Sequence, residues 1–132
     1  MKKIDIACII DDDPIFVFGT KKIMKLANFC NSFMVFPNGE EAINNLKPII
    51  KDNSANMPDI ILLDLNMPIM DGWQFLDEFT KIPCQKEITI YIVTSSIDPQ
   101  DIEKAKNYDK ISNYLVKPIS TEQLQEILSG NA

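Results

Sequence analysis

Short apolar runs alternate with segments of helical period along this chain, five times over. Ile6-Ala7-Cys8-Ile9-Ile10 and Ile60-Ile61-Leu62-Leu63 have no polar face, so they read as strands covered on both sides. Ile88 to Val93 is rich in β-branched residues and reads the same way. Strands are predicted at about 4–10, 32–36, 59–64, 88–93 and 112–116. Helices are predicted at about 14–28, 39–51, 72–80, 99–107 and 120–129. Ala42, Ile43, Leu46, Ile49 and Ile50 form one core stripe, and Leu124, Ile127 and Leu128 another. Asp13-Pro14 suits a helix start, Ser120 with Gln123 a capping box, and Gly130 a helix stop. Pro48 reads as an interruption of the second helix, and the stretch 51–57 as a long loop.

Strict alternation of strand and helix predicts an α/β fold, a parallel sheet with helices on both faces. Right-handed crossovers then give a flavodoxin-like, doubly wound, five-stranded sheet of order 2-1-3-4-5 with five helices. Ligands of such sheets sit at the C-terminal ends of the strands, where this chain concentrates its unusual polar residues. Asp11-Asp12-Asp13 follows the first strand and Asp64 the third. Capping explains Asp13 but leaves Asp11 and Asp12 without a role. Strands one and three are neighbours in the expected order, so Asp11, Asp12 and Asp64 converge at one edge. A small, partly hydrated set of hard oxygen ligands suits Mg²⁺ better than zinc or copper. Thr94 ends the fourth strand and Lys117 the fifth. An aspartate nucleophile, a metal site, a hydroxyl and a cation are the parts that phosphoryl transfer requires.

These motifs resemble the receiver domain of two-component response regulators, in particular the stand-alone, chemotaxis-regulator-like type. The resemblance rests on Asp11-Asp12, on Leu62-Leu63-Asp64-Leu65-Asn66-Met67-Pro68-Ile69-Met70-Asp71-Gly72, on Val93-Thr94-Ser95-Ser96 and on Tyr114-Leu115-Val116-Lys117-Pro118. It implies that Asp64 accepts the phosphoryl group and, with Asp12, ligates Mg²⁺ directly. Asn66 would add a backbone carbonyl, and Asp11 a carboxylate acting mostly through water. Thr94 would be the switch hydroxyl, Lys117 the cation paired with the phosphoacceptor and Tyr114 the switch aromatic. The Lys117-Pro118 bond is expected to be cis. The expected partners are a sensor histidine kinase or histidine phosphotransfer protein, and a downstream effector met by the fourth helix, fifth strand and fifth helix. The fourth helix carries few apolar residues, chiefly Ile102 and Ala105, and is expected to be weakly anchored.

Composition narrows the rest. At 132 residues the chain is expected to be a single receiver domain over 1–132 with no output domain. It has no histidine, which excludes Ser-His and Cys-His nucleophilic mechanisms and makes the phosphoryl donor another molecule. Cys8, Cys30 and Cys84 are widely spaced and read as free thiols of a reducing, cytoplasmic compartment. No apolar run is long enough to cross a bilayer. A net charge of −6 with scattered lysines argues against nucleic acid as partner. The four glycines lie too far apart for a phosphate-cradling loop. A phosphatase using an aspartyl-phosphate on the way to product is disfavoured, since the haloacid-dehalogenase-like enzymes need an acid where Asn66 stands. A degenerate receiver would have lost an acid, the Thr or the Lys, and none is lost. The chain is expected to catalyse only its own phosphorylation and dephosphorylation.

Overall fold

The computed structural model describes residues 4–52, 55–84 and 86–129. Its elements run β1 (Ile6–Ile10), α1 (Pro14–Leu26), β2 (Ser32–Phe36), α2 (Gly39–Lys51) and β3 (Ile60–Leu63). They continue with α3 (Gly72–Phe79), β4 (Thr89–Thr94), α4 (Pro99–Ala105), β5 (Ile111–Val116) and α5 (Thr121–Ser129). All strand pairs are parallel, and the order is β2-β1-β3-β4-β5, as the alternating pattern implies. Every predicted element is present, with ends displaced by no more than a few residues.

The period of two along the strands sorts the core onto two faces. Cys8, Ile10, Ile61, Leu63, Ile90 and Ile92 turn to α2 and α3, where Ala42, Leu46, Phe75 and Leu76 meet them. Ala7, Ile9, Ile60, Leu62 and Val93 turn the other way, onto Met24 of α1 and Leu124 and Ile127 of α5. Ala42, Leu46 and Ile50 of the first stripe are buried, with Ile43 and Ile49 packed at its margin. The Leu128 side chain and Gly130 lie outside the described residues. Cys8 is wholly buried at the centre of the sheet, and burial pushes its thiol far above the ordinary range.

The reading of Pro48 is corrected. α2 continues through it to Lys51, and the Pro48 carbonyl accepts from the Asp52 N–H at 3.0 Å. Asn44 and Pro48 are both exposed, so water can serve the carbonyl that the missing N–H leaves open. The helices start as their sequences suggest. Asp13 accepts from Ile15 N and Phe16 N, Asn38 from Glu41 N and Asp98 from Gln100 N. Ser120 and Gln123 form the expected capping box, and Asp71 and Gln74 form a second one.

The loop between β3 and α3 carries one strained residue. Ile69 has φ 70 and is 72% exposed. A β-branched residue in the left-handed region is a steric outlier that asparagine or glycine would relieve. Ile69→Asn should raise unfolding stability by about 1 kcal/mol, since little burial is lost. Urea unfolding checks this, and a fall in stability would show that the exposed side chain contributes more than the strain costs.

Candidate functional site

The C-terminal edge of the sheet brings four of the singled-out side chains together. Asp11 follows β1, its N–H donating to Phe36 O at 3.0 Å, and Asp64 follows β3, its N–H donating to Ile10 O at 2.9 Å. These ladder extensions hold both backbones rigid to the last residue. Asp11 and Asp64 are buried, whereas Asp12 is exposed. Each of the three offers a carboxylate oxygen within 4.8 Å of the others. Asn66 is exposed, and its N–H donates to Asp64 Oδ1 at 3.4 Å.

Lys117 reaches this cluster from the end of β5. Its N–H donates to Thr94 O at 2.8 Å, and the Lys117-Pro118 bond is cis, as expected. The side chain is only 14% exposed. Its Nζ lies 2.7 Å from Asp11 Oδ2 and 3.6 Å from Asp64 Oδ2. The resting partner of the ammonium is therefore Asp11 first, where the resemblance implied the phosphoacceptor. The buried Asp11 Oδ2 is paired with that ammonium, and Asp11 Oδ1 accepts from the Asp13 N–H at 2.9 Å. Burial pushes the Asp11 carboxyl above its usual range, Lys117 and the Asp13 N–H pull it down, and the charge on Asp64 pushes it up again.

Three carboxylates facing one ammonium leave negative charge uncompensated. Hard oxygens in this number fit a small divalent cation such as Mg²⁺. On its open side the cluster continues into a groove of about 720 Å³ that runs from Asp11 and Asp12 along α1 past Phe18, Lys21 and Leu26.

Thr94 is fully buried at the end of β4, and its Oγ1 accepts from Ser96 N at 3.3 Å. Tyr114, half-buried on β5, donates its hydroxyl to Ser96 O at 3.0 Å. Burial pushes its phenol up, so the ring keeps its proton and its role as donor.

The family model for the response regulator receiver domain matches residues 7–129. The chain belongs to this family. Receiver domains of two-component response regulators take a phosphoryl group on an aspartate, and that is the function of the family. A two-component response regulator from Cytophaga hutchinsonii has the same fold at a TM-score of 0.84, with 29% identity over 98% of both chains. The phosphorylated cyanobacterial phytochrome response regulator RcpA matches at a TM-score of 0.78, with 25% identity over 96% of this receiver and 89% of RcpA. Among curated proteins, the probable methanogenesis regulatory protein FilR2 of Methanothrix harundinacea is 28% identical over 87 residues, 66% of this chain. The receiver spans 55% of that relative's length. No helix among the described residues is long and apolar enough to cross a membrane.

One arrangement in the receiver has no counterpart in the sequence reading. Asp101 of α4 accepts from Trp73 Nε1 at 3.0 Å and from Ser96 Oγ at 2.7 Å. Trp73 also stacks on Tyr108 at 5.6 Å. α4 is thus held by a carboxylate shared between α3 and the loop after Thr94, and not by apolar packing alone. The residues lie far apart in sequence, and no local spacing announces them.

Proposed function

We propose that this receiver accepts a phosphoryl group on Asp64 from a phosphohistidine of a sensor histidine kinase or histidine phosphotransfer protein. The observation that carries this reading is the convergence of Asp11, Asp12, Asp64 and Lys117 at the ends of neighbouring strands. A carboxylate oxygen of Asp64 attacks phosphorus as the phosphorus–nitrogen bond to the donor imidazole breaks, and the leaving imidazole takes a proton from solvent. Asp64 reacts as a carboxylate and needs no general base. The Lys117 ammonium and the Thr94 hydroxyl meet charge on the phosphoryl oxygens. Asp11, Asp12, Asp64 and the Asn66 carbonyl would hold Mg²⁺, which supplies further positive charge there when bound. The same groups would serve hydrolysis of the phosphoaspartate, so the chain's catalysis is confined to its own modification.

The test is incorporation of phosphoryl from a small acyl phosphate. It should require Mg²⁺, be labile and map to Asp64; label at another residue would overturn the assignment. The acid cluster gives a second, independent measurement. Mutual repulsion destabilises the metal-free fold, so Mg²⁺ should raise the melting temperature by a few degrees. An equal rise in Asp12→Ala would contradict the site. Because the folded-state value of Asp11 is raised, the native state binds the extra proton. Metal-free stability should therefore fall as pH rises from the ordinary carboxylate range through that raised value, and Mg²⁺ should flatten the slope.

Output runs through α4, β5 and α5 to an effector protein in this reading. A phosphoryl group adds about two negative charges, to which the Thr94 hydroxyl turns, and the Ser96 loop follows. Ser96 holds both Tyr114 and Asp101, so the displacement reaches the β5 ring and α4 together. Amide exchange over residues 95–117 should change with beryllofluoride and Mg²⁺ in wild type. Asp101→Asn should raise exchange in α4 before any phosphoryl mimic is added. Changes confined to the loops touching Asp64 would refute the coupling.

A further inference from the structure

Lys117 has a third partner beside the two carboxylates. Its Nζ sits 4.3 Å from the centroid of the Phe16 ring, over the ring face. Other lysines lie over rings in this fold, at 5.5 Å for Lys21 on Phe33, 4.8 Å for Lys104 on Trp73 and 5.9 Å for Lys110 on Phe79. The Phe16 contact is the shortest of these, and its ammonium is held in the site at 14% exposure, where water screens least.

The ring is fixed from the α1 side. Asp13 caps the helix through Ile15 N and Phe16 N, which sets Phe16 in the first turn. Phe16 also packs at the margin of the core that includes Ala7 and Leu115.

We propose that Phe16 is a positioning residue for Lys117, its ring face holding the ammonium beside Asp64 whatever Asp11 is doing. The proposal rests on the reading of Asp64 as phosphoacceptor. An ammonium on a flexible four-carbon stem follows the strongest nearby charge. In the resting site that charge is Asp11, at 2.7 Å against 3.6 Å for Asp64. A divalent cation on Asp11 would compete for the same oxygens and release the lysine. The ring face is not a metal ligand, so it keeps its attraction for the ammonium. It accepts no proton and forms no strong hydrogen bond, so the cation remains free to turn its N–H groups to a phosphoryl oxygen. It also closes one side of the ammonium to water, which strengthens the charge that arriving oxygens meet.

The experiment uses the full chain, a small acyl phosphate and saturating Mg²⁺, with the rate of phosphorylation read by intact mass. Phe16 is replaced by phenylalanines bearing one, two and three ring fluorines, which drain the ring face while nearly preserving its shape. The rate should fall stepwise, by about tenfold at three fluorines, with melting temperature unchanged. Phe16→Leu should lose as much and Phe16→Trp should restore the rate. A spectroscopic readout stands apart from activity: ring current should shift the Lys117 ε-methylene protons upfield in wild type and not in Phe16→Leu. A rate indifferent to fluorination, or Lys117 protons at ordinary positions, would overturn the proposal. Failure of the wild type to take phosphoryl on Asp64 would instead remove the reading beneath it, while the Lys117 shift would still report the contact.

Discussion

Asp64→Asn should abolish phosphorylation by histidine-linked and small-molecule donors alike, and leave the fold standing. The nucleophile is the loss: an amide oxygen carries no full charge and its nitrogen is no substitute at neutral pH. The fold is spared because Asp64 lies past the end of β3, with its main-chain bond to Ile10 independent of the side chain. Lys117 keeps Asp11 at 2.7 Å, so no buried ammonium is stranded. Burial is the main cause that raises Asp11, and removing the Asp64 charge takes away a smaller one. The metal-free variant should melt no lower than wild type, and its response to Mg²⁺ should shrink. Mass spectrometry with and without donor measures the first effect and thermal unfolding the second. Full labelling of the variant would sink the assignment.

The second large effect is expected at Gly72→Ala, a residue without chemistry of its own. A Cβ there would lie 2.5 Å from the Asp64 carbonyl oxygen and 2.9 Å from Leu65 Cα. Both are backbone atoms at the end of a buried strand, so neither can give without moving Asp64. The Gly72 N–H also donates to Leu65 O at 3.0 Å, and any shift weakens that bond. Overpacking against backbone costs about 3 kcal/mol here, the upper part of the usual range. Unfolding in urea should show this loss, and Mg²⁺ affinity should fall with it because the carboxylate is displaced. Gly19→Ala is the control. Nothing lies within 4 Å of a Cβ at that α1 position, so alanine should stabilise by up to about 1 kcal/mol through helix propensity. Equal effects at the two glycines would show that close approach to Asp64 is not what Gly72 provides.

The sheet and the acid cluster were legible because each depends on local pattern and strand order. Apolar runs without a polar face announced β1 and β3, and carboxylates directly after them fell together once those strands were neighbours. What stayed hidden depends on side chains that meet only in three dimensions. Asp101 reads locally as a first-turn acid of α4, yet it serves Trp73 and Ser96. Phe16 reads as one more apolar residue of α1, and nothing near it in sequence points to a lysine about a hundred positions on. Lys117 was legible as a cation of the site, but its preference for Asp11 over Asp64 is a matter of ångströms that no motif encodes. Pro48 misled for the opposite reason: the local rule is sound, but α2 runs through Pro48 in an exposed final turn, where the open carbonyl can turn to solvent.

The buried thiol at the middle of β1 gives this receiver an internal clock. Alkylating reagents attack the thiolate, and at neutral pH Cys8 has almost none and no path to solvent. Cys30 and Cys84 are partly open, so they should be consumed first. Slow modification of Cys8 afterwards then counts the occasions on which the whole sheet comes apart, and the drop in that rate on adding Mg²⁺ or a phosphoryl mimic measures how firmly each state locks the molecule shut.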